Sequence, residues 1–196
     1  MEKPLKIGVL ALQGAFIEHL KILRHLGASA VEVRLPKQLD GLDGLIIPGG
    51  ESTTIGKLAV MYDLLEPLCE FAAVKPVWGT CAGMIFMARE VDLDQPLLGV
   101  MDISVKRNAF GRQVDSFQQN LNIAVLNDGA DRPFPAVFIR APKIIAVKRN
   151  AVVIAHLSDG TVVAAQEGRW LVTAFHPELT NDYRFHRYFL SLVASS

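Results

Sequence analysis

The sequence has little of what marks several large classes of protein. Its 196 residues include only two cysteines, too few for a disulfide framework, which indicates a reducing, cytoplasmic setting. Lysine plus arginine equal aspartate plus glutamate at 20 each, so no excess charge favours nucleic acid or an anionic membrane. No apolar run approaches the roughly 18 residues that a membrane-spanning helix needs. The first residues lead into no long apolar region with a cleavage site, so we predict no signal peptide.

What is present fits one globular domain over residues 1–196, with 51% hydrophobic and 20% charged residues. In the first half, continuous apolar runs at residues 7–12, 44–48 and 77–78 are each followed by a helical pattern. This alternation predicts an α/β fold of three layers, with a mostly parallel central sheet flanked by helices. In the second half, residues 152–157 and 162–165 around an Asp-Gly turn predict added antiparallel hairpin strands.

The segment around Cys81 carries the most chemical information. Val77-Trp78 runs into Gly79-Thr80-Cys81-Ala82-Gly83 and then into an apolar helical stretch, which resembles a nucleophile elbow with a thiol in place of serine. A cysteine at such a helix N-terminus is favoured as the thiolate, the form that attacks. The alternative is a buried structural cysteine, which is what most free cysteines are. The pentapeptide alone leaves both interpretations open.

A second pair of residues could activate this cysteine. His176 follows an apolar strand pattern, and Glu178 stands two residues later, on the same side of an extended segment. Glu178 could therefore accept a hydrogen bond from His176 and fix its tautomer, as the acid does in a Ser-His-Asp triad. The order nucleophile, histidine, acid differs from the usual order of the α/β hydrolases.

Two further turns follow predicted strands and should meet Cys81 at one edge of the sheet. Gly49-Gly50 precedes Glu51 and the Ser/Thr cluster at 52–54, which is good N-cap chemistry for the next helix. The turn is either a simple strand-to-helix connection or a cradle of N–H groups for a developing negative charge. Gln13-Gly14 follows the first strand in the same way, and ligands of parallel sheets bind at the carboxyl ends of strands.

The remaining histidines and the second cysteine receive structural or surface roles. His19 and His25 lie on or near the polar side of the first helix, and His186 lies in the last one, so all three are predicted to face solvent. His156 stands beside the hairpin turn and receives no role, whereas Cys69 is predicted to be a core cysteine. The apolar face predicted for the first helix comprises Phe16, Ile17, Leu20, Leu23 and Leu26.

Several motifs together resemble one known family. Gly79–Gly83 and the Phe-His-Pro-Glu motif at 175–178 are similar to those of the triad-type class I glutamine amidotransferases, whose fold is flavodoxin-like. The segments at 12–14, 48–54, 107–113, 138–142 and 176–180 narrow the resemblance to the glutaminase subunits of pyridoxal 5′-phosphate synthase, over essentially the whole chain.

The resemblance implies that the chain hydrolyses L-glutamine to glutamate and ammonia through a thioester on Cys81, with His176 and Glu178 completing the triad. It implies an oxyanion site at Gly49, Gly50 and Ala82. Glutamine binding carries over to Gly50, Glu51, Ser52, Arg107, Ile139 and Arg140, with Gln13 as a possible accessory residue. Either arginine could bind the substrate α-carboxylate. No cofactor or metal is expected.

A partner is also implied. Free ammonia would be protonated and lost in water, so the resemblance implies a synthase (lyase) subunit that receives it and makes pyridoxal 5′-phosphate, in vitamin B6 biosynthesis. Two alternatives stay open. Another class I glutaminase or a γ-glutamyl hydrolase would keep the triad and change the substrate-binding segments. A DJ-1-like redox-sensing protein would need the elbow cysteine without the His-x-Glu pair.

Overall fold

The computed structural model describes residues 3–108 and 116–196. Within these ranges the chain forms twelve β-strands, five α-helices and two short 3-10 helices. The strands are β1 (Lys6–Leu10), β2 (Ser29–Val33), β3 (Gly44–Ile47), β4 (Val77–Thr80), β5 (Ala88–Val91), β6 (Met101–Lys106), β7 (Ser116–Leu121), β8 (Phe134–Ile139), β9 (Lys143–Val147), β10 (Val152–His156), β11 (Val162–Glu167) and β12 (Trp170–Thr173). The α-helices are α1 (Phe16–His25), α2 (Ser52–Met61), α3 (Leu65–Val74), α4 (Ala82–Met87) and α5 (Arg184–Ala194), and the 3-10 helices are Pro36–Leu39 and Pro177–Leu179.

The central sheet is mixed, with one parallel half and a second half that is antiparallel except for the parallel pair of β5 and β6. Its order is β2-β1-β3-β4-β12-β11-β9-β6-β5, and β10 pairs with β11. All neighbours from β2 to β12 are parallel, whereas β11 is antiparallel to each of its partners. Strands β7 and β8 form a separate antiparallel pair. The predicted α/β class, the parallel core and the added hairpin strands are confirmed.

The helices cover the parallel half on both faces. Right-handed crossovers put α1 on the opposite face from α2 and α3, because β2 and β4 lie on opposite sides of β1 and β3 in the strand order. Helix α5 shares the α1 face: His186 contacts His19, and Phe189 and Val193 lie against Gly44 of β3. The strands between these layers are apolar along their length, as expected for strands buried on both faces; all four residues of β3 and of β4 are buried.

Two details of the first half differ from the sequence-based expectations. Ile17, predicted to join the apolar face of α1, is 48% exposed, because the buried face of this helix is rotated toward His19 and Ile22. Cys69, predicted to lie in the core, is only partly buried, and its Sγ lies 3.7 Å from the carbonyl oxygen of Leu98. It stands at the edge of the core rather than inside it.

Among residues 3–108 and 116–196, no helix combines the length and the hydropathy that a transmembrane span requires.

Candidate active site

Cys81 stands at the bend between β4 and α4. Its backbone has φ 49° and ψ −102°, a strained combination for a residue with a side chain, and its N–H donates to the carbonyl of Thr173 at 2.7 Å. The bend requires glycine on both sides. A Cβ on Gly79 would lie 2.6 Å from the carbonyl carbon and oxygen of Gly83, and one on Gly83 would lie 2.0 Å from the carbonyl oxygen of Ile47. The chain therefore presents the thiol in the predicted elbow geometry.

The thiol opens into a cavity of about 360 Å³ at the carboxyl ends of β1, β3 and β4. This volume lies in the range of small-molecule sites. The predicted residues come together here. The cavity is lined by Gln13, Gly14, Ala15, Gly49, Gly50, Glu51, Ser52, Cys81, Ala82, Ile85, Arg107, Asn108, Ile139, Arg140, His176 and Leu179. Of the sequence-predicted site residues, only Glu178 is missing from the lining, because it lies behind His176.

His176 and Glu178 form the predicted pair. His176 Nδ1 lies 2.6 Å from Glu178 Oε1, and both side chains are buried. Burial alone would lower the pKa of His176. Its hydrogen bonds with Cys81 and Glu178, together with the charges of these groups, outweigh burial and raise that pKa to about 10. His176 is thus an imidazolium at neutral pH, held between the carboxylate and the cysteine. The backbone N–H of His176 donates to the carbonyl of Val137 at 2.8 Å, which ties the pair to β8.

The Gly49-Gly50 turn packs closely against this pair. An added Cβ on Gly49 would lie 2.4 Å from His176 Cε1 and 3.4 Å from the Cβ of Cys81. The Gly49 carbonyl accepts a hydrogen bond from the N–H of Ala15 at 3.0 Å. Gln13 Oε1 accepts from the N–H of Glu51 at 2.7 Å, so Gln13 braces the end of the turn. The close packing explains why both positions are glycine.

Glu51 and Arg107 are joined on one wall of the cavity. Glu51, rather than the Ser/Thr cluster, is the N-cap of α2: its carboxylate accepts from the N–H groups of Thr53 and Thr54. Burial would raise the pKa of Glu51, but the bonds from Thr54 and Thr53 hold it below the ordinary value. Arg107 contacts Glu51 Oε1 at 3.4 Å, and also reaches Thr53 and Gln95 at 3.3 Å each. Gln95, which also contacts Ser52, is a supporting residue that sequence reasoning missed.

The opposite wall comes from the end of β8. Ile139 and Arg140 are exposed at the cavity, and Arg140 has a positive φ of 41°. The Ile139 carbonyl oxygen lies 4.0 Å from Cys81 Sγ. Ala82 is the first residue of α4, so its N–H has no acceptor within the helix. The predicted segment 107–113 is described only up to Asn108; its remaining residues lie outside the described part of the chain.

Two of the histidine predictions were wrong. His19 and His186, expected to face solvent, are both fully buried between α1, α5 and Trp78. His19 occupies the i+3 position from Phe16 on the inner face of α1, and His186 precedes the buried Phe189 and Val193 of α5 by three and seven residues. That helical spacing was the signal that could have found them. His25 is exposed, as expected, and His156, which received no role, is exposed as well.

Comparisons with known proteins show the family of the chain. The sequence model of the SNO glutamine amidotransferase family matches residues 9–195, nearly the whole chain. The chain belongs to the SNO glutamine amidotransferase family. Among SNO relatives, the "Pyridoxal 5′-phosphate synthase subunit PdxT" of Herpetosiphon aurantiacus is 58% identical, over 95% of this chain and 99% of the relative. The protein of that name from Pelotomaculum thermopropionicum is 56% identical, over 95% of this chain and 94% of its own.

Solved structures confirm the class I amidotransferase fold. A crystal structure of a glutamine amidotransferase has a TM-score of 0.89 at 46% identity, covering 96% of this chain and 98% of its own. A chain of the PurLQS structure from Thermotoga maritima has a TM-score of 0.67 at 14% identity, covering 99% of both chains. The second likeness concerns the fold alone.

Proposed function

We propose that this chain is the glutaminase subunit of a pyridoxal 5′-phosphate synthase and that Cys81 is its nucleophile. The thiolate form of Cys81 attacks the side-chain amide carbon of L-glutamine while the neighbouring His176 is protonated. His176 then gives its proton to the departing ammonia and leaves a glutamyl thioester on Cys81. Water activated by His176 hydrolyses the thioester and releases glutamate. Glu178 orients His176 and stabilises its positive charge.

The cavity walls are proposed to bind the rest of the substrate. The tetrahedral intermediate carries its negative charge on the former amide oxygen, and N–H groups of Gly49, Gly50 and Ala82 are the proposed donors. Gly50, Glu51, Ser52, Ile139 and the two arginines are proposed to hold the amino-acid end of glutamine. Arg107 is the better candidate for the α-carboxylate, because three acceptors already hold its guanidinium at the wall.

The partner is proposed to be the synthase subunit implied by the names of the SNO relatives. Ammonia released at Cys81 has to reach a second active site before it is protonated by solvent. The rim of the cavity includes the exposed side chains of Ile139 and Leu179, which suit contact with another protein. We therefore propose that the synthase subunit docks over this rim and raises glutaminase turnover.

The main evidence for the proposal is that His176 interacts with both Cys81 and Glu178. Cys81 and His176 line the cavity, and Glu178 lies behind His176. Its test is glutamate release from L-glutamine by the wild-type chain and Cys81→Ala, each alone and with the synthase subunit. Cys69→Ala is the matched control, since it removes the other thiol from a site outside the cavity.

We expect low wild-type turnover that rises on adding the synthase subunit, no turnover by Cys81→Ala, and wild-type turnover by Cys69→Ala. Glutamate release by Cys81→Ala would overturn the assignment of the nucleophile. Equal wild-type turnover with and without the synthase subunit would overturn the activation by the partner. Faster hydrolysis of γ-glutamyl peptides than of glutamine would identify a γ-glutamyl hydrolase instead.

A further inference from the structure

Two histidines that the proposed reaction does not use lie buried directly behind Glu178. His19 in α1 and His186 in α5 have no exposed surface. His19 Nε2 lies 3.4 Å from Glu178 Oε2, and His19 Nδ1 lies 2.9 Å from His186 Nε2. Glu178 Oε1 in turn contacts His176 at 2.6 Å. These contacts form a continuous line of polar groups from α5 to the histidine of the active site.

The protons of this line can be assigned from the chemistry of its members. Burial lowers the pKa of His186 to about 3, and burial together with the charges of His186 and His176 lowers that of His19, so both buried imidazoles are neutral. A neutral imidazole has one donor nitrogen and one acceptor nitrogen, whereas an ionised carboxylate only accepts. His19 Nε2 must then carry the proton that faces Glu178. Its Nδ1 is an acceptor, so His186 Nε2 carries the proton between the two rings.

The contact between His19 and Glu178 joins two buried atoms. Neither His19 Nε2 nor Glu178 Oε2 has a hydrogen-bond partner within residues 3–108 and 116–196. Their separation of 3.4 Å is longer than the roughly 2.7–3.2 Å of a strong hydrogen bond, so we treat it as a contact between the N–H dipole and the carboxylate charge. Burying a carboxylate oxygen without a hydrogen-bond donor costs folding free energy. His19 Nε2–H is the donor that the structure places beside that oxygen.

Trp78 fixes the orientation of both rings. Its ring centroid lies 5.6 Å from that of His19 and 5.0 Å from that of His186, with edge-to-face angles of 82° and 74°. Trp78 belongs to β4, the strand that ends at the Cys81 elbow. The imidazole pair is therefore packed against the same strand that positions the nucleophile.

We propose that His19 is a positioning residue for the glutaminase reaction, holding Glu178 through its Nε2–H, and that His186 selects the His19 tautomer that this requires. The inference rests on the proposed function. Without the donor from His19, Glu178 keeps its contact with His176 at Oε1 but loses the one at Oε2, so it orients the His176 ring less firmly. The consequence falls on the chemical step, because His19 lies outside the cavity that receives glutamine.

The test uses two substitutions at His19, each of which places a polar atom at the position of a different ring nitrogen. The amide of His19→Gln reaches the position of Nε2 and can still donate to Glu178. The amide of His19→Asn reaches only the position of Nδ1, so it keeps the contact with His186 and loses that with Glu178. His25→Asn, at an exposed histidine of the same helix, is the control.

For each variant we would measure kcat and KM for glutamine with the synthase subunit, the thermal unfolding midpoint, and the rate of Cys81 alkylation by iodoacetamide in the chain alone.

We expect His19→Asn to lower kcat about ten- to a hundredfold, the range known for residues that orient the ligands of a metal site, with KM within about twofold of wild type. Alkylation should slow in the same variant. His19→Gln should keep most of kcat, and His25→Asn all of it. Full activity of folded His19→Asn, or equal losses in the Asn and Gln variants, would overturn the inference. If the wild type failed to hydrolyse glutamine but His19→Asn alone slowed alkylation, the proposed function would fail and the positioning role would stand.

Discussion

The contact between Gly49 and His176 makes Gly49→Ala a sharp test of the active-site geometry. The added methyl would lie 2.4 Å from His176 Cε1, whereas ordinary contact begins at 3.4 Å, so the ring has to retreat by about 1 Å (3.4 − 2.4). A displacement of that size at a catalytic group costs on the order of 10²-fold in rate. We therefore expect Gly49→Ala to lower kcat for glutamine hydrolysis about a hundredfold, measured as glutamate release with the synthase subunit present.

The control is Gly99→Ala. An added Cβ at Gly99 meets nothing within 4 Å, although its φ of +63° makes any side chain strained. This variant should lose about 1–2 kcal/mol of stability from backbone strain and keep wild-type kcat. Thermal unfolding of both variants separates lost folding from lost geometry. A folded Gly49→Ala protein with kcat within about threefold of wild type would refute the argument that His176 has to stay at its present position.

Three further predictions concern substrate binding, stability and protonation. Arg107→Met should raise KM for glutamine about tenfold or more, the cost of a lost charged hydrogen bond; an unchanged KM, with a raised KM in Arg140→Met, would assign the carboxylate to Arg140 instead. Arg184 is buried and donates to the carbonyls of Arg132 and Pro133 and to Asp182, so Arg184→Met should cost about 3–5 kcal/mol in urea unfolding. The exposed Arg187→Met should stay within about 0.5 kcal/mol of wild type, and similar costs for both would contradict this reading of Arg184. In an NMR titration the His176 imidazole should stay protonated at neutral pH and lose its proton near pH 10. In Cys81→Ala the midpoint should fall, because the hydrogen bond and charge of Cys81 that raise the His176 pKa are gone; an unchanged midpoint would contradict that cause.

Much of the site could be predicted because its signals are local in the sequence. The Gly-x-Cys-x-Gly elbow, the His-x-Glu pair and the Gly49-Gly50 turn each occupy a few consecutive residues at the end of an apolar run. The parallel topology then brings the three strand ends to one edge of the sheet. The distance of 95 residues between Cys81 and His176 did not matter, because β4 and β12 are neighbouring strands.

What the sequence missed depends on contacts between distant elements. His19 and His186 are polar, so their type suggested solvent. Both are buried because they contact each other across α1 and α5 and pack against Trp78, and His19 also contacts Glu178. The role of Glu51 was also missed. Its role as the cap of α2 competes with three better-known capping residues beside it, and its carboxylate contacts Arg107, which lies 56 residues away in the turn after β6. Such pairings are absent from any single window of sequence.

The most direct test of the central claim is acylation of Cys81 by glutamine. The wild-type chain with its synthase subunit would be mixed with glutamine, quenched in acid on the millisecond scale, digested and analysed by mass spectrometry. We predict a glutamyl adduct on the peptide that contains Cys81, absent from Cys81→Ser and still present in Cys69→Ala. Continued glutamate formation with an adduct on Cys69, or with an adduct that survives in Cys81→Ser, would contradict the account.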